Sequence, residues 1–268
     1  MLISTVLNNP RGRSDDVTDS DPSIVKPVTN TIPQAFAAAV RKDSAAPLLT
    51  WYDDATGDRT ELSGATLDNW VSKTANLLVD GVGLGHGDTV ALVLPPHWQT
   101  AALLLGVSVA GLAADLGEEP QPVEAVFTTP GLVERAAAWS GLDRYATGLL
   151  PLAMPLRTLP DGYADYVTEV RNYGDFFRGA PVGPADLALG GPYELCHSDV
   201  IENAVERAAQ LGITAGDRVL IDTALHPEPA DWLLAPLVAG ASVVLCANLD
   251  RSKLEARSTA EKVTVTLA

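Results

Sequence analysis

The sequence predicts an α/β protein in which two similar helix–strand–helix subdomains carry mostly parallel sheets. Two fragments, VGLGHGDTVAL at 82–92 and LGITAGDRVLI at 211–221, share the phrase G-[LI]-x-x-G-D-x-V. In both places an amphipathic helical pattern precedes the phrase, and a short β-rich run ends it. A second helical pattern then follows each run. Helices that alternate with buried strands through short loops are typical of a layered domain with a largely parallel sheet.

The similarity between the two fragments extends beyond the shared phrase at a constant offset of 129 residues. The matched positions are Gly83 and Gly212, Gly87 and Gly216, Asp88 and Asp217, Val90 and Val219, His97 and His226, and 109–111 and 238–240. An ungapped match of this length predicts internal duplication of a subdomain rather than a solenoid. We therefore expect 66–113 and 198–242 to superpose, with the carboxylates of Asp88 and Asp217 accepting backbone N–H bonds in equivalent turns.

Local signals place the first helix and the turn of each copy. Apolar residues at helical spacing predict helices over TLDNWVSKTANLLV and SDVIENAVERAAQL, with Thr66 and Ser198 as the N-cap residues. Gly83 and Gly212 fit the left-handed position just after a helix.

Buried strands and further helices are predicted after these turns. The runs TVALVL and RVLIDTAL are short and β-rich, which is typical of buried strands. Helices are expected next over 97 to about 113 and over about 229 to 239, and the second copy adds a strand at ASVVLCA. Between the copies, VEAVFTT and ATGLLPLAM predict strands and GLVERAAAW predicts a helix.

The chain is expected to have three parts. Residues 1–30 are polar, with Pro and Asp throughout, and predict a mobile N-terminal tail. Residues 31–185 would form a first α/β subdomain with a loop-rich end, and 186–268 a partial second one. We find no low-complexity linker that would separate them.

Composition excludes several classes of function. The net charge of −16 would repel a phosphate backbone, so we expect no nucleic-acid partner. The longest apolar run, at 101–114, has 14 residues and is too short to cross a membrane. The N-terminal residues lack a secretory apolar segment, and Cys196 and Cys246 provide no disulfide framework, so we expect a cytoplasmic protein.

Common catalytic motifs are missing from the sequence. It contains no G-x-x-x-x-G-K-[ST], H-E-x-x-H, G-x-S-x-G or C-x-x-C, and its glycine-rich 81–87 precedes a strand instead of following one. Residues 196–199 (Cys-His-Ser-Asp) include every member of a nucleophile set, but they predict a helix start instead of a relay. Two Cys and four scattered His favour no metal site. We expect no catalytic residues, metal or cofactor.

Two histidines occupy matching positions after the predicted strands. His97 and His226 follow the carboxyl ends of their strands, where ligands bind in open α/β sheets. Each would cap a helix start, line the crevice wall or contact a ligand, and a ligand contact is favoured more for His226 because Trp98, a packing residue, follows His97 directly.

Two stretches resemble the adenylate-forming (acyl-CoA synthetase, AMP-binding) superfamily. Thr50-Trp51 and the stretch 57–112 are similar to the opening of these enzymes, with an aromatic-rich strand, a helix, G-[VL]-x-x-G-D-x-V, a buried strand and a small-residue helix. HPEPADWLLAPLVAGASVVL is similar to the region after their phosphate loop. The resemblance covers about 33–250 and implies the fold of the N-terminal domain of acyl-CoA synthetases. It identifies the chain as a truncated relative, closest to a short bacterial family allied to these synthetases.

The chain departs from this superfamily at the phosphate loop. Superfamily members carry a Ser/Thr/Gly-rich loop ending in P-K-G, whereas this chain has Gly190-Gly191-Pro192 with no Ser, Thr or Lys in the loop. Such a loop grips phosphate through backbone N–H groups and a cation. The superfamily's adenine and ribose motifs and its catalytic Lys lie beyond the matched stretch. Gly190, Gly191 and His226 therefore remain as candidates for binding a small acyl or anionic ligand.

Three functions are compatible with the sequence. The first is a non-catalytic relative of the adenylate-forming enzymes that acts as a binding or interaction module. The second is half of a split adenylate-forming ligase completed by another chain, and the lost phosphate loop disfavours it. The third is a structural subunit that forms a homodimer or joins a partner protein.

Overall fold

The structure is a computed structural model that describes residues 29–116, 119–191 and 194–268. The predicted N-terminal tail therefore lies outside the described residues except for its last two, and Pro192 of the shortened loop also lies outside them.

The described residues alternate helices with mostly short strands. The α-helices are α1 (Ile32–Lys42), α2 (Gly64–Asn76), α3 (Trp98–Val109), α4 (Val133–Ala136), α5 (Tyr166–Val170), α6 (His197–Gln210), α7 (Ala235–Ala239) and α8 (Leu254–Ala260). The strands are β1 (Pro47–Asp53), β2 (Asp58–Ser63), β3 (Thr89–Val93), β4 (Ala113–Asp115), β5 (Ala125–Thr128), β6 (Asp143–Ala146), β7 (Ala164–Asp165), β8 (Leu187–Gly190), β9 (Leu195–Cys196), β10 (Arg218–Asp222), β11 (Ser242–Ala247) and β12 (Val265–Leu267). A π-helical turn, Leu77–Val82, extends α2, and another, Ala230–Leu234, precedes α7.

The strands form two mostly parallel sheets. A five-stranded sheet has the order β12-β10-β11-β1-β2, and a seven-stranded sheet has the order β7-β6-β5-β3-β4-β8-β9. Only the β1–β2 and β8–β9 pairs of the described strands are antiparallel. This arrangement confirms the predicted α/β class with mostly parallel sheets.

Each sheet takes strands from both sides of the predicted boundary at residue 185. β1 pairs in parallel with β11, with Trp51 opposite Leu245, so the N-terminal hairpin completes the sheet of the second copy. β8 pairs with β4 and so joins the sheet of the first copy. The two sheets are therefore not two consecutive stretches of sequence, and the boundary between subdomains stays a prediction.

The two copies have matching backbone hydrogen bonds at the offset of 129 residues. The amide of Gly87 donates to the carbonyl of Gly111 at 2.9 Å, and the amide of Gly216 donates to that of Gly240 at 3.2 Å. The strands β3 and β10 start at matching positions, as do β4 and β11.

The turn aspartates act as predicted. The Asp88 carboxylate accepts the N–H of Gly85 at 2.7 Å, and the Asp217 carboxylate accepts that of Thr214 at 2.7 Å. Because each carboxylate ties the start of its turn to its end, it holds the chain in the direction that leads into the strand.

Both predicted N-caps are wrong, because each helix begins earlier than its apolar stripe. Ser63 caps α2, and its hydroxyl accepts the N–H of Thr66 at 3.2 Å. Cys196 caps α6, and its own N–H donates to the Asp199 carboxylate at 3.4 Å. Thr66 and Ser198 therefore lie inside the first turns of their helices.

The predictions for the end of one helix and for one strand also need correction. The helix predicted to reach about residue 113 ends at Val109, because Gly111 adopts a φ of +75° that stops it and lets β4 form. The strand predicted at ATGLLPLAM lies earlier, at Asp143–Ala146. Leu149, Leu152 and Ala153 have φ values of +51° to +54°, which a strand does not allow.

The largest apolar core lies between the helices and both sheets. Its centre is α3, whose side chains are buried from Trp98 to Ser108. α1 and α2 pack against α3, and α6 and α7 pack against each other. No helix in the described ranges has the length and apolar character needed to span a bilayer.

Candidate functional site

A cavity of about 300 Å³ lies between the seven-stranded sheet and the helical part of the second copy. One side is the end of β8 with the start of β9, and another is the part of α6 formed by the buried Val200 and Ala204 and the exposed Asn203. The third side is the turn over 228–230, which follows β10. Cavities at the carboxyl ends of parallel strands are the usual ligand sites of open α/β folds.

The cavity is mainly apolar with two polar side chains. Leu116, Leu195 and Val200 contribute to its walls. Asn203 on α6 and Glu228 on the turn are the polar side chains among the described lining residues. The sequence interpretation missed both, since Asn203 lies on the exposed face of a helix and carries no local signal. Glu228 follows His226 by two residues, and this proximity was the available signal.

Of the predicted ligand-binding glycines, Gly190 lines the cavity. Gly191 has a φ of +98°, a conformation that favours glycine. A Cβ atom at Gly191 would lie 3.3 Å from Oδ1 of Asp115. The remnant of the loop therefore packs directly on a carboxyl group.

Asp115 lies beside Gly191, next to the cavity, and the sequence interpretation did not single it out. It ends β4 opposite Gly190, is 1% exposed, and accepts the indole N–H of Trp139 at 2.7 Å. A charged residue directly after a buried strand was the signal for it.

His226, the third predicted ligand-binding residue, is not among the described residues that line the cavity. Its Nδ1 lies 2.8 Å from Oδ2 of Asp231, and its side chain is 20% exposed. The turn that follows it, over 228–230, is what reaches the cavity. The structure thus brings Gly190 close to this turn, while the imidazole itself is bound to Asp231.

Arg207 is the cation nearest in sequence to the cavity-lining part of α6, and it is already paired. Its Nε and Nη2 donate to the two carboxylate oxygens of Asp231 at 2.6 and 2.9 Å. These hydrogen bonds, with the one from His226, keep the pKa of Asp231 below its ordinary value. A bidentate pair of this kind fixes both side chains, so the Arg207 charge is compensated before any ligand arrives.

His97 has a structural role in the first copy. Its Nδ1 accepts the N–H of Gln99 at 3.1 Å and so caps α3. The side chain is 2% exposed, and burial lowers its pKa to about 3. Of the alternatives given by the sequence, the structure therefore supports the helix cap.

Residues 196–199 form a helix start, as predicted. The Cys196 thiol lies 3.1 Å from the Ser198 hydroxyl and 3.0 Å from the Asp199 carboxylate. His197 is buried, and its Nδ1 accepts the N–H of Ile32 at 3.3 Å. The imidazole is thus used to anchor α1, and burial lowers its pKa to about 4.

The cavity therefore offers a ligand mainly apolar walls, with the carboxyl groups of Glu228 and Asp115 nearby. Among its described lining residues there is no lysine or arginine. In the described ranges, no group of three or more His, Cys, Asp or Glu is arranged to hold a metal ion.

Comparison with known proteins gives one close relative. The chain is 40% identical over 247 residues to a TIGR03089 family protein of Mycobacterium tuberculosis (strain ATCC 25618 / H37Rv), covering 87% of this chain and 98% of that protein. No model of a protein family matches the chain.

Solved structures show which fold this is. An acyl-CoA synthetase of Brucella canis matches with a TM-score of 0.66 at 17% identity, over 87% of this chain and 46% of that protein. A benzoate CoA ligase from Burkholderia xenovorans LB400 matches with a TM-score of 0.65 at 17% identity, over 88% and 49%. The N-terminal domain of FACL13 from Mycobacterium tuberculosis matches with a TM-score of 0.65 at 14% identity, over 89% and 62%.

The chain spans about half the length of the two full-length ligases it matches. At these identities the likeness shows the fold alone, whereas the 40% identity to the mycobacterial relative shows the family. The chain belongs to the TIGR03089 family, and its fold is that of the N-terminal domain of acyl-CoA synthetases.

Proposed function

We propose that the protein is a non-catalytic relative of the adenylate-forming ligases that binds a small apolar ligand in the cavity between β8, α6 and the turn over 228–230. The observation that carries this proposal is the packing of Gly191 against Asp115, where the ligases have a phosphate loop. The site offers backbone amides without a cation, and it places a carboxyl group directly behind them.

Charge disfavours a triphosphate at this position. Phosphate sites combine several converging N–H groups with a lysine, an arginine or a metal ion. Here Asp115 lies behind the loop, Glu228 lines the cavity, and Arg207 is paired with Asp231. The charge of the exposed Glu228 at the cavity would further repel a phosphate. ATP would therefore bind at millimolar affinity at best, worth about 4 kcal/mol.

The walls of the cavity favour an apolar ligand. Leu116, Leu195, Val200 and Leu234 contribute apolar surface, and burial of such surface is favourable by about 25 cal/mol per Å². A short acyl or alkyl group would meet these side chains. We place this binding role in the cytoplasm, in line with the charge and cysteine content of the chain.

We further propose that the two similar units are the products of an internal duplication. Matching turns, strand starts and hydrogen bonds at one offset support this origin. In this view the turn after β10 kept its position beside the ligand, while the equivalent residues after β3 became buried in the core.

Two measurements test the proposed function. With excess ATP and magnesium, the purified protein should give no ATP–pyrophosphate exchange with any carboxylic acid, and titration calorimetry should give a millimolar Kd for ATP or weaker. Micromolar ATP binding that is lost in Gly191→Pro, with an unchanged melting temperature, would show a working phosphate site instead. Exchange that appears only after adding a second chain would support the split-ligase alternative.

The structural-subunit alternative needs a separate measurement. A thermal-shift series with alcohols and acyl compounds should raise the melting temperature, because a ligand that binds only the folded state stabilises it. A stable dimer by size exclusion, together with no shift from any of these compounds, would favour a purely structural role.

A further inference from the structure

We propose that the ligand of this cavity is a small apolar amine, whose hydrocarbon part lies against the leucines and whose protonated nitrogen pairs with Glu228. This inference rests on the proposed binding function of the cavity and adds the chemical class of the ligand.

The first step concerns the free carboxylate. Glu228 lines the cavity, and its side chain forms no hydrogen bond or ion pair with another described residue. Its backbone carbonyl accepts the N–H groups of Asp231 and Trp232 at 2.9 and 3.3 Å, which fixes the turn. A carboxylate on a fixed turn beside apolar walls is a ready acceptor for a charged N–H donor.

The second step concerns the other polar group. Asn203 lines the same cavity from α6 and carries an amide oxygen as well as an NH₂ group. An ammonium group has three donors and no acceptor. It can therefore bind Glu228 and still donate to the amide oxygen of Asn203.

The third step excludes the alternatives of opposite charge. A carboxylate or phosphate ligand would need a cation, and the described lining residues include none. Arg207, one turn beyond Asn203 on α6, is held by both oxygens of Asp231. The net charge of −16 further concentrates cations over anions around the protein.

The fourth step concerns size. A cavity of about 300 Å³ lies at the lower end of small-molecule sites. A small unbranched amine suits a site of this size, so octylamine is a suitable probe.

The experiment compares three probes of equal chain length, namely octylamine, 1-octanol and octanoate, by titration calorimetry at pH 7. We expect octylamine to bind about five- to tenfold more tightly than 1-octanol, and octanoate to bind most weakly. Glu228→Gln should reduce octylamine affinity to the level of 1-octanol and leave 1-octanol unchanged. The matched control is Glu206→Gln, an exposed carboxylate on α6 outside the cavity, which should change neither.

A blocking variant separates the two proposals. Asn203 is exposed, so Asn203→Trp can fill the cavity without entering the core, and it should abolish binding of all three probes. Equal binding of octylamine and 1-octanol that is lost in Asn203→Trp would overturn the amine inference and leave the proposed binding function standing. Binding that survives Asn203→Trp, or no binding of any probe, would overturn both.

Discussion

The two copies of the G-D turn share a backbone but differ in what surrounds it. After β3, His97 and Trp98 lie among aromatic rings. The ring centroids of Trp51 and His97 are 4.6 Å apart, and those of Trp70 and Trp98 are 5.1 Å apart. After β10, His226 pairs with Asp231, which also pairs with Arg207. The match is confined to the G-D turn and the strand, since the helix after β3 starts at Trp98 and the helical turn after β10 starts later, at Ala230. The side chains in between serve packing in the first copy and ion pairing in the second.

The second copy also depends on ion pairs with the C-terminal segment. Arg257 on α8 donates to both carboxylate oxygens of Asp54 at 3.1 and 2.6 Å. Arg59 and Arg218 both pair with Glu261, Arg59 at 2.9 Å. Both copies contribute to the apolar core, but the sheet of the second copy carries these ion pairs as well, so removal of a charge should affect mainly that sheet.

The largest expected effect comes from removing an aromatic side chain of the first copy. Trp98 is 2% exposed, so Trp98→Ala should lower the free energy of unfolding by about 4 kcal/mol, as is usual for buried aromatic residues. The matched control is Pro227→Ala at the equivalent exposed position of the second copy, which should cost less than about 1 kcal/mol. Urea unfolding measures both. Equal losses would mean that the two positions are equally buried and the comparison fails.

Breaking an ion pair at the sheet of the second copy should have the next largest effect. Arg257→Ala leaves the Asp54 carboxylate, whose side chain is 6% exposed, without its bidentate partner. We expect a loss of about 3 kcal/mol in the free energy of unfolding, because a buried carboxylate loses its bidentate partner and keeps only Lys253, at 3.3 Å, as a counter-charge. Arg251→Ala, an exposed neighbour, should stay within about 0.5 kcal/mol of the wild type. A neutral result for Arg257→Ala would show that water replaces the pair without cost.

A decrease of one pH unit in mild acid should produce the smallest effect, and it should come from both copies. Burial lowers the pKa of His97 to about 3 and that of His197 to about 4, from an ordinary value of 6.5. The unfolded chain therefore takes up protons below pH 6.5 that the folded chain does not, so stability falls as pH decreases. Each histidine contributes up to about 1.4 kcal/mol per pH unit. His97→Gln should reduce the slope between pH 6 and 4.5 in chemical unfolding experiments.

The carboxylates add a second acid transition at lower pH. Hydrogen bonds from Arg257 lower the pKa of Asp54 to about 2. Burial opposes ionisation of Glu261, but hydrogen bonds from Tyr52, Arg218 and Arg59 outweigh it and lower its pKa to about 2. Their stabilisation is complete above the unfolded values near 4 and is lost as pH falls toward 2. If His97→Gln leaves the slope of the unfolding free energy against pH unchanged above pH 4.5, groups other than His97 cause the loss of stability in that range.

Local patterns in the sequence were enough for the repeated unit. The turns at Gly87-Asp88 and Gly216-Asp217, the strands after them and the helices on both sides were predicted, and the structure has them. These features depend on bonds between residues a few positions apart and on the spacing of apolar side chains. A sequence shows both directly.

Only the tertiary structure decided how these units assemble and what the site contains. β1 pairs with β11, Asp54 forms an ion pair with Arg257, and Gly191 lies against Asp115. In each case the two partners are far apart in the chain. The sequence alone is compatible with many partners for each of these residues, and packing of the core determines which one is in contact. For the same reason the sequence placed His226 at the ligand site, whereas the packed chain joins it to Asp231 and brings Asn203 and Glu228 to the cavity instead.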